Sequence, residues 1–177
     1  VNGRSVEATE GETLLHVLRR LGMAPPALCD DPRLRPIGEC RMCSVEIVGE
    51  AHLGTACTLP VRDGLEVRTD TPALREFRRT LLDWMAERIS PAAVDRFPNK
   101  PMHRLLGEAG VAARGPDAPE DACDLSHPFI RVDMSQCISC MRCVRICEDV
   151  QGQSVWHAVD RGARTHIVPD SLTTLAD

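Results

Sequence analysis

Nine of the 177 residues are cysteines, and eight of the nine fall into two sets with short spacings. The first set has the form C-x10-C-x2-C-x13-C and comprises Cys29, Cys40, Cys43 and Cys57. The second has the form C-x2-C-x2-C-x3-C and comprises Cys137, Cys140, Cys143 and Cys147. An odd number of cysteines fits a disulfide framework poorly, whereas close C-x2-C pairs are typical of metal thiolates in a reducing compartment. The spacing therefore predicts two metal–thiolate sites.

The second set has the spacing of an iron–sulfur run. In two-cluster bacterial ferredoxins, the first three cysteines of such a run ligate one cluster and the fourth ligates the other. We therefore predict that Cys137, Cys140 and Cys143 bind a [4Fe–4S] cluster. Apolar cover is expected from Ile138 and Val144, backed by Phe129, Ile130 and Val132.

Cys147 has three interpretations that the spacing leaves open. It can ligate a second [4Fe–4S] cluster whose other ligands lie beyond Asp177, which makes the chain a fragment. It can complete the local cluster as its fourth ligand. It can also stay free while Cys123 completes that cluster, although Cys123 has no ligand-like spacing and is otherwise a structural thiol.

The first set suits a [2Fe–2S] cluster, which takes two thiolates on each iron. Its first gap is longer than the C-x4-C of plant-type ferredoxins. Gly38 lets the loop turn near the cluster without a Cβ clash, and apolar neighbours would exclude water, namely Ala27, Leu28, Met42 and Ala56. A closed tetrahedral zinc site of four cysteines is the alternative.

Two strings around the first set carry a family resemblance. GECRMCSVEI at residues 38–47 and TACT at residues 55–58 resemble the N-terminal ferredoxin domain of NAD-dependent formate dehydrogenase α subunits. The same domain occurs in the large iron–sulfur subunit of respiratory complex I and in iron hydrogenases, and it has the longer first loop. HPFIRVDMSQCISCMRCVRICEDVQG at residues 127–152 is similar to the ferredoxin-like section of the dehydrogenases and hydrogenases.

The resemblance is incomplete in the middle of the chain. These families usually place a histidine and three cysteines there to hold another [4Fe–4S] cluster, but residues 75–122 contain no cysteine. His103 has no candidate partner ligand nearby, so we interpret it as a surface or packing residue, like His16 and His52. The resemblance therefore implies the family without its middle cluster, and a connector that serves a different surface or electron partner.

The elements around the first set predict an α+β fold of the β-grasp type. A turn at Asn2-Gly3 precedes a strand over Ser5–Ala8, and apolar periodicity predicts a helix over Thr13–Leu21 that ends at Gly22. Two further strands are expected over Ser44–Val48 and Leu65–Arg68.

The rest of the chain predicts a helical connector and a partial ferredoxin-like lobe. Thr71-Pro72 starts a helix whose apolar stripe is Phe77, Leu81, Trp84, Met85 and Ile89. A second helix covers Pro101–Ala109. The lobe has a strand at 129–132, a helix at 141–150 and a hairpin of strands 156–159 and 165–168. The expected domains are 1–70 with the [2Fe–2S] site, 71–122 as connector, and 123–177 as the first half of a [4Fe–4S] domain.

Electron transfer is the function that these sites favour, because no catalytic triad, P-loop or dinucleotide fingerprint is present. We expect no flavin or molybdopterin site in this chain. The resemblance implies a formate dehydrogenase-like enzyme, whose catalytic molybdopterin-type domain and diaphorase-type flavin subunit, or another carrier, would be the partners. An iron–sulfur sensor and a zinc-stapled interaction domain are the alternatives. A net charge of −5 argues against nucleic-acid binding, and the absence of a long apolar run and of a leader sequence predicts a cytoplasmic protein without a membrane span.

Overall fold

The computed structural model describes residues 1–117 and 123–169. The described residues form two compact units, Val1–Leu81 and those from Leu82 onward. Both contain short helices and antiparallel strands, which confirms the predicted α+β class.

The first unit consists of one helix, a three-stranded antiparallel sheet and the start of a second helix. Helix α1 spans Leu14–Arg20, and the sheet contains β1 (Ser44–Ile47), β2 (Leu53–Thr55) and β3 (Val67–Arg68) in the order β2-β1-β3. The core unites the inner face of α1 with the sheet and with two thiols of the first cysteine set. Its buried members are Val1, Leu14, Leu15, Leu18, Cys43, Val45, Ile47, Ala56, Cys57 and Val67.

Helix α1 ends as predicted at Gly22, which adopts φ +68°. The Gly22 N–H donates to the Arg19 carbonyl at 3.1 Å, and the Met23 N–H donates to the Leu18 carbonyl at 2.9 Å. This pair of bonds is a Schellman motif, which needs the left-handed conformation that glycine adopts without strain. The chain then leaves the helix toward the first cysteine.

The predicted strand over Ser5–Ala8 is wrong, and β2 was not predicted. The Asn2-Gly3 turn does form, and the Asn2 N–H donates to the Val67 carbonyl at 2.8 Å. Residues 4–9 then run outside the ladder, with Val6 alone among Ser5–Ala8 packed against the core. Such a segment buries too little apolar surface to be held in the sheet as a strand. Strand β2 was missed because three residues are too few to show an alternation of apolar and polar side chains.

Three helices follow, each beginning with proline. Helix α2 spans Pro72–Ala86 and crosses from the first unit into the second; α3 spans Pro91–Arg96 and α4 spans Pro101–Glu108. The predicted α2 start is confirmed, since Thr71 Oγ1 accepts from the Leu74 N–H at 3.2 Å. Helix α3, which was not predicted, has the same kind of N-cap: Ser90 Oγ accepts from the Ala93 N–H at 3.1 Å.

The predicted apolar stripe of α2 is wrong at its centre. Trp84 is 65% exposed, whereas Leu74, Leu82 and Ala86 are at most 3% exposed. These three residues lie at i, i+8 and i+12, and Arg78 fills the i+4 position on the same face. Because the half-buried Arg78 interrupts the row of buried apolar residues, the apolar pattern of the sequence indicated a neighbouring face of the helix instead.

The last part of the second unit comprises two small hairpins and a bent helix. Strands β4 (Cys123–Asp124) and β5 (Val132–Asp133) pair, as do β6 (Trp156–Val159) and β7 (His166–Pro169), which confirms the second hairpin. Helix α5 covers Arg142–Arg145 and continues as a π-helix over Ile146–Val150, with 3₁₀ turns at 134–136 and 162–164. Of the predicted strand at 129–132, only Val132 belongs to a strand, β5, because Phe129 and Ile130 face solvent.

Candidate metal centres

The first four cysteines come together on the core of the first unit. Cys29 follows α1, Cys40 and Cys43 lie in the loop before β1, and Cys57 follows β2. Their exposed fractions are 3%, 8%, 1% and 2% in that order. The predicted cover is also in place, since Leu28, Met42 and Ala56 are buried and Ala27 is half-buried.

The four thiols form two hydrogen-bonded pairs. Within the first pair, the bond between Cys29 and Cys40 raises the pKa of Cys29 and lowers that of Cys40 to about 6. Within the second, the bond between Cys43 and Cys57 lowers the pKa of Cys43 to about 7 and raises that of Cys57. Two pairs of cysteine side chains match the demand of a [2Fe–2S] cluster, which binds each iron with two cysteines.

Backbone N–H groups converge on the same sulfurs. The Cys40 N–H donates to Cys29 Sγ at 3.4 Å, and the Glu39 N–H also faces Cys29. The Gly38 N–H faces Cys57, and further donors to Cys40 come from Leu28, Cys29 and Met42. Amides directed at sulfur stabilise negative charge, so this pocket fits an anionic iron–sulfur cluster.

Gly38 is required by the loop conformation and by its neighbours. It adopts φ +67°, and a Cβ there would lie 3.3 Å from Thr55 Oγ1 and 3.5 Å from Thr58 Cγ2. The sequence predicted a glycine with space toward the cluster, but the close contact in the structure is with this pair of threonines. The conformation directs the Gly38 N–H toward Cys57.

The second set lies on a loop with two left-handed residues. Ser139 has φ +53° and Met141 has φ +61°, and the Ser139 N–H donates to Cys137 Sγ at 3.4 Å. Helix α5 begins directly after Met141, so Cys143 occupies its first turn. The N–H groups of Cys143 and Val144 face the Cys143 sulfur. This loop therefore offers inward-facing amides, as a bound cluster requires.

The pKa of Cys143 depends on the other two cysteines of its loop. Although Cys143 is exposed as a residue, desolvation of its thiol raises its pKa, and repulsion from Cys137 and Cys140 acts in the same direction. Cys147 lies one turn further on, in the π-helix, where the Gln151 N–H donates to the Ile146 carbonyl at 3.1 Å. The assignment of ligands to clusters, including the three interpretations of Cys147, stays a prediction.

Part of the predicted cover of the second site is wrong. Phe129 is 92% exposed and Ile130 is 49% exposed, so neither backs the cysteine loop. Ile138 and Val144 are half-buried. Cys123 is half-buried in β4, where it pairs with Asp133 across the hairpin.

The histidines have structural partners. His103 is 3% exposed and its Nδ1 lies 2.7 Å from the Phe97 carbonyl oxygen, as expected of a packing residue. His16 lies 3.6 Å from Glu12, and His52 lies 3.2 Å from Glu50, at the surface. Within residues 1–117 and 123–169, no three His, Cys, Asp or Glu side chains are grouped so as to hold a single metal ion.

Arg78 is a site residue that sequence reasoning missed. Its guanidinium donates to the carbonyls of Met42 and Ser44, on either side of the predicted ligand Cys43. The available signal was its position, four residues from both Leu74 and Leu82 on the buried face of α2. An arginine at a core position is rarely buried without a specific partner.

Comparison with known families agrees with this geometry. Residues 1–72 match the 2Fe-2S iron-sulfur cluster binding domain, and residues 127–176 match the ferredoxin-like domain of NADH-quinone oxidoreductase subunit 3. The chain therefore carries two ferredoxin-type iron–sulfur domains in succession. These matches confirm the predicted cofactor classes, a [2Fe–2S] and a [4Fe–4S] cluster.

Individual relatives place these domains in larger oxidoreductases. The chain is 33% identical over 184 residues to an NADH-quinone oxidoreductase subunit of Rhizobium meliloti, covering 94% of this chain and 20% of that protein. It is 28% identical over 159 residues to the "Putative formate dehydrogenase YrhE" of Bacillus subtilis, covering 85% and 16%. The predicted resemblance to the iron–sulfur region of such enzymes is confirmed.

The chain is also similar to part of a solved structure, an NAD⁺-reducing [NiFe]-hydrogenase in its H₂-reduced state. One of its chains superimposes with a TM-score of 0.81 at 28% identity, covering 95% of this chain and 72% of that one. The chain spans about a fifth of the length of the two curated relatives. No helix among the described residues is long and apolar enough to cross a membrane.

Proposed function

We propose that this chain relays electrons within a larger oxidoreductase, between its catalytic centre and a nicotinamide-nucleotide-linked subunit. The observation that carries the proposal is the double pairing of four buried thiols with amides aimed at their sulfurs. A bound iron–sulfur cluster takes up and releases single electrons without a substrate pocket. The protein then contributes position, water exclusion and tuning of the potential.

The proposed ligands are Cys29, Cys40, Cys43 and Cys57 for the [2Fe–2S] cluster, and Cys137, Cys140 and Cys143 for the [4Fe–4S] cluster. In the first site, the low pKa values of Cys40 and Cys43 supply one thiolate in each pair near neutral pH. Their partners Cys29 and Cys57 must release protons when metal binds, which couples cluster loading to pH. Burial of all four limits contact with water and oxygen.

The proposed partners follow from the relatives. One relative is named for NADH and a quinone, another for formate, and the solved hydrogenase for NAD⁺. Each of these names contains a nicotinamide nucleotide or a small reduced substrate. We therefore propose that a flavin-containing, diaphorase-type subunit exchanges electrons with this chain on one side of the relay. A molybdopterin-type catalytic domain is the proposed partner on the other side, and the cytoplasm, where thiols stay reduced, is the proposed compartment.

Cycles of reduction and oxidation at constant cluster content test the proposal. The chain is purified without oxygen, its iron, sulfide and zinc are measured, and its visible spectrum is followed through repeated dithionite reduction and ferricyanide oxidation. Electron transfer predicts a brown protein that bleaches and recovers without loss of iron. A colourless protein that holds zinc contradicts the proposal, and loss of the clusters on each oxidation indicates a sensor instead.

A further inference from the structure

Arg78 lies against the loop that carries Cys43, and within the described part of the chain its guanidinium donates to backbone oxygens. Nε donates to the Met42 carbonyl at 3.1 Å, while Nη2 donates to the Ser44 and Thr69 carbonyls, both at 2.8 Å. The side chain is half-buried. Three of the five N–H donors of Arg78 bind neutral backbone oxygens, which do not cancel its positive charge.

The Met42–Cys43 peptide links Arg78 to a ligand sulfur. In a trans peptide, the C=O and the N–H point in opposite directions. The C=O of this peptide faces the guanidinium, and its N–H, which belongs to Cys43, faces the Cys43 sulfur. A donor on the carbonyl polarises the peptide and strengthens the hydrogen bond that its N–H donates.

The electrostatics of the site agree with this arrangement. Burial lowers the pKa of Arg78, and the charges of Asp70 and Cys43 act in the opposite direction. An arginine stays protonated despite such burial. Its charge therefore acts on the Cys43 thiolate in a medium that screens it less than water does.

We propose that Arg78 is a positioning residue for the [2Fe–2S] cluster, which orients the Met42–Cys43 peptide toward the ligand sulfur and raises the midpoint potential of the cluster. The inference rests on the proposed function, because it requires a cluster on the first four cysteines. Reduction adds negative charge to the cluster, and hydrogen bonds and positive charge near the sulfurs favour the reduced form.

The test is a potentiometric titration of the [2Fe–2S] EPR signal in the full, cluster-loaded chain. Arg78→Gln removes the positive charge and shortens the reach of the donor. Arg78→Lys keeps the charge but lacks the forked donor geometry of a guanidinium. Arg75→Gln is the matched control. Arg75 lies on the same helix, is 65% exposed, and pairs with Asp70 at 2.8 Å. Its replacement thus removes one positive charge from α2 without touching the cysteine loop.

We expect Arg78→Gln to lower the reduced-to-oxidised ratio at a fixed potential by roughly tenfold, which is 59 mV for a one-electron couple. Arg78→Lys should fall between this variant and the wild type, and Arg75→Gln should leave the potential unchanged. The EPR g-values should shift in Arg78→Gln and recover toward wild type in Arg78→Lys.

The results that would overturn the inference differ from the result that would overturn its basis. If Arg78→Gln titrates like the wild type, or if Arg75→Gln shifts the potential equally, the inference is wrong while the cluster assignment stands. If Arg78→Gln cannot be loaded, the decision passes to Arg78→Lys, and a potential equal to that of the wild type in this variant would contradict the inference. A wild-type chain without any [2Fe–2S] signal instead refutes the proposed function.

Discussion

Cys43 has the most complete set of neighbours among the predicted ligands. Cys57 donates to its sulfur, its own N–H faces that sulfur, and Arg78 holds the carbonyls on both sides of it. The residue is 1% exposed and belongs to the core of the first unit. Loss of this thiol therefore removes a ligand and also disturbs the best-packed part of the site.

Cys43→Ser should abolish the [2Fe–2S] signal and leave the [4Fe–4S] signal in place. An alcohol remains protonated at a pH where the Cys43 thiol, with a pKa of about 7, is largely ionised. EPR of the reduced chain measures both signals, and Cys123→Ser, at a half-buried thiol outside the first set, is the control variant for the [2Fe–2S] signal. Disappearance of both signals in Cys43→Ser would show that the two sites do not form independently.

Cys147→Ser distinguishes the interpretations of the second cysteine set. If Cys147 ligates another cluster, the [4Fe–4S] signal from Cys137, Cys140 and Cys143 should survive in this variant. Cys147 is on the π-helix beyond the turn that holds Cys143, which agrees with a separate role. Iron analysis and EPR measure the outcome, and loss of the local cluster in Cys147→Ser would favour the four-cysteine site.

The cysteine sets could be predicted from the sequence because ligand spacing is a local property of the chain. Arg78 could not, because its role depends on the acceptors at Met42, Ser44 and Thr69, which are up to 36 residues away in sequence. The pairing of Cys29 with Cys40, and of Cys43 with Cys57, likewise depends on how the strand and loop come together. Spacing predicts which residues bind metal but not which thiols form a hydrogen-bonded pair.

Hydrogen bonds to backbone carbonyls join the elements of the second unit. Gly115 packs onto the end of α2, where its N–H donates to the Ala86 carbonyl at 3.0 Å and to the Ile89 carbonyl at 2.9 Å. The Thr165 carbonyl, just before β7, accepts from Arg88 and from Ser139 of the cysteine loop. The region after α2 thus supports both the following loop and the second site.

Gly115→Ala should destabilise the second unit by about 1–3 kcal/mol, the usual cost of overpacking. A Cβ at this position would lie 2.6 Å from the carbonyl carbon of Arg88 and from the nitrogen of Ile89, so backbone would have to move. Gly107→Ala is the control, because open space surrounds Gly107 in α4 and alanine in a helix is favoured over glycine by about 0.5–1 kcal/mol.

Urea unfolding of the cluster-loaded chain, followed by far-UV circular dichroism without oxygen, compares the two glycine variants. The midpoint should fall for Gly115→Ala and stay equal or rise for Gly107→Ala. Equal midpoints for Gly115→Ala and the wild type would contradict the close packing described at this position.

Elements with strong end signals could be predicted, and short or mixed ones could not. Thr71-Pro72, Gly22 and the 156–168 hairpin gave correct boundaries within a few residues. The three-residue β2 contains too few positions for a period, and Ser5–Ala8 has the composition of a strand without a partner. On α2, the half-buried Arg78 interrupts the buried face, so an argument based on apolar residues alone did not find that face.

At the scale of the whole molecule, two iron–sulfur domains flank a segment that lacks the usual middle cluster ligands. Residues 75–122 contain no cysteine, and the helices within them bury several apolar residues. These are Leu82, Ala86, Ile89, Ala93, Met102, Leu106 and Val111. The predicted ligands of the [2Fe–2S] cluster precede this helical segment in the chain, and those of the [4Fe–4S] cluster follow it.

An EPR-monitored redox titration of the anaerobically purified chain tests the central claim most directly. We predict two reversible signals, a [2Fe–2S] signal lost in Cys43→Ser and a [4Fe–4S] signal retained in that variant, with no [4Fe–4S] signal from residues 1–120. An EPR-silent, zinc-containing chain, or a [4Fe–4S] signal that depends on residues 1–120, would contradict this assignment of the two clusters.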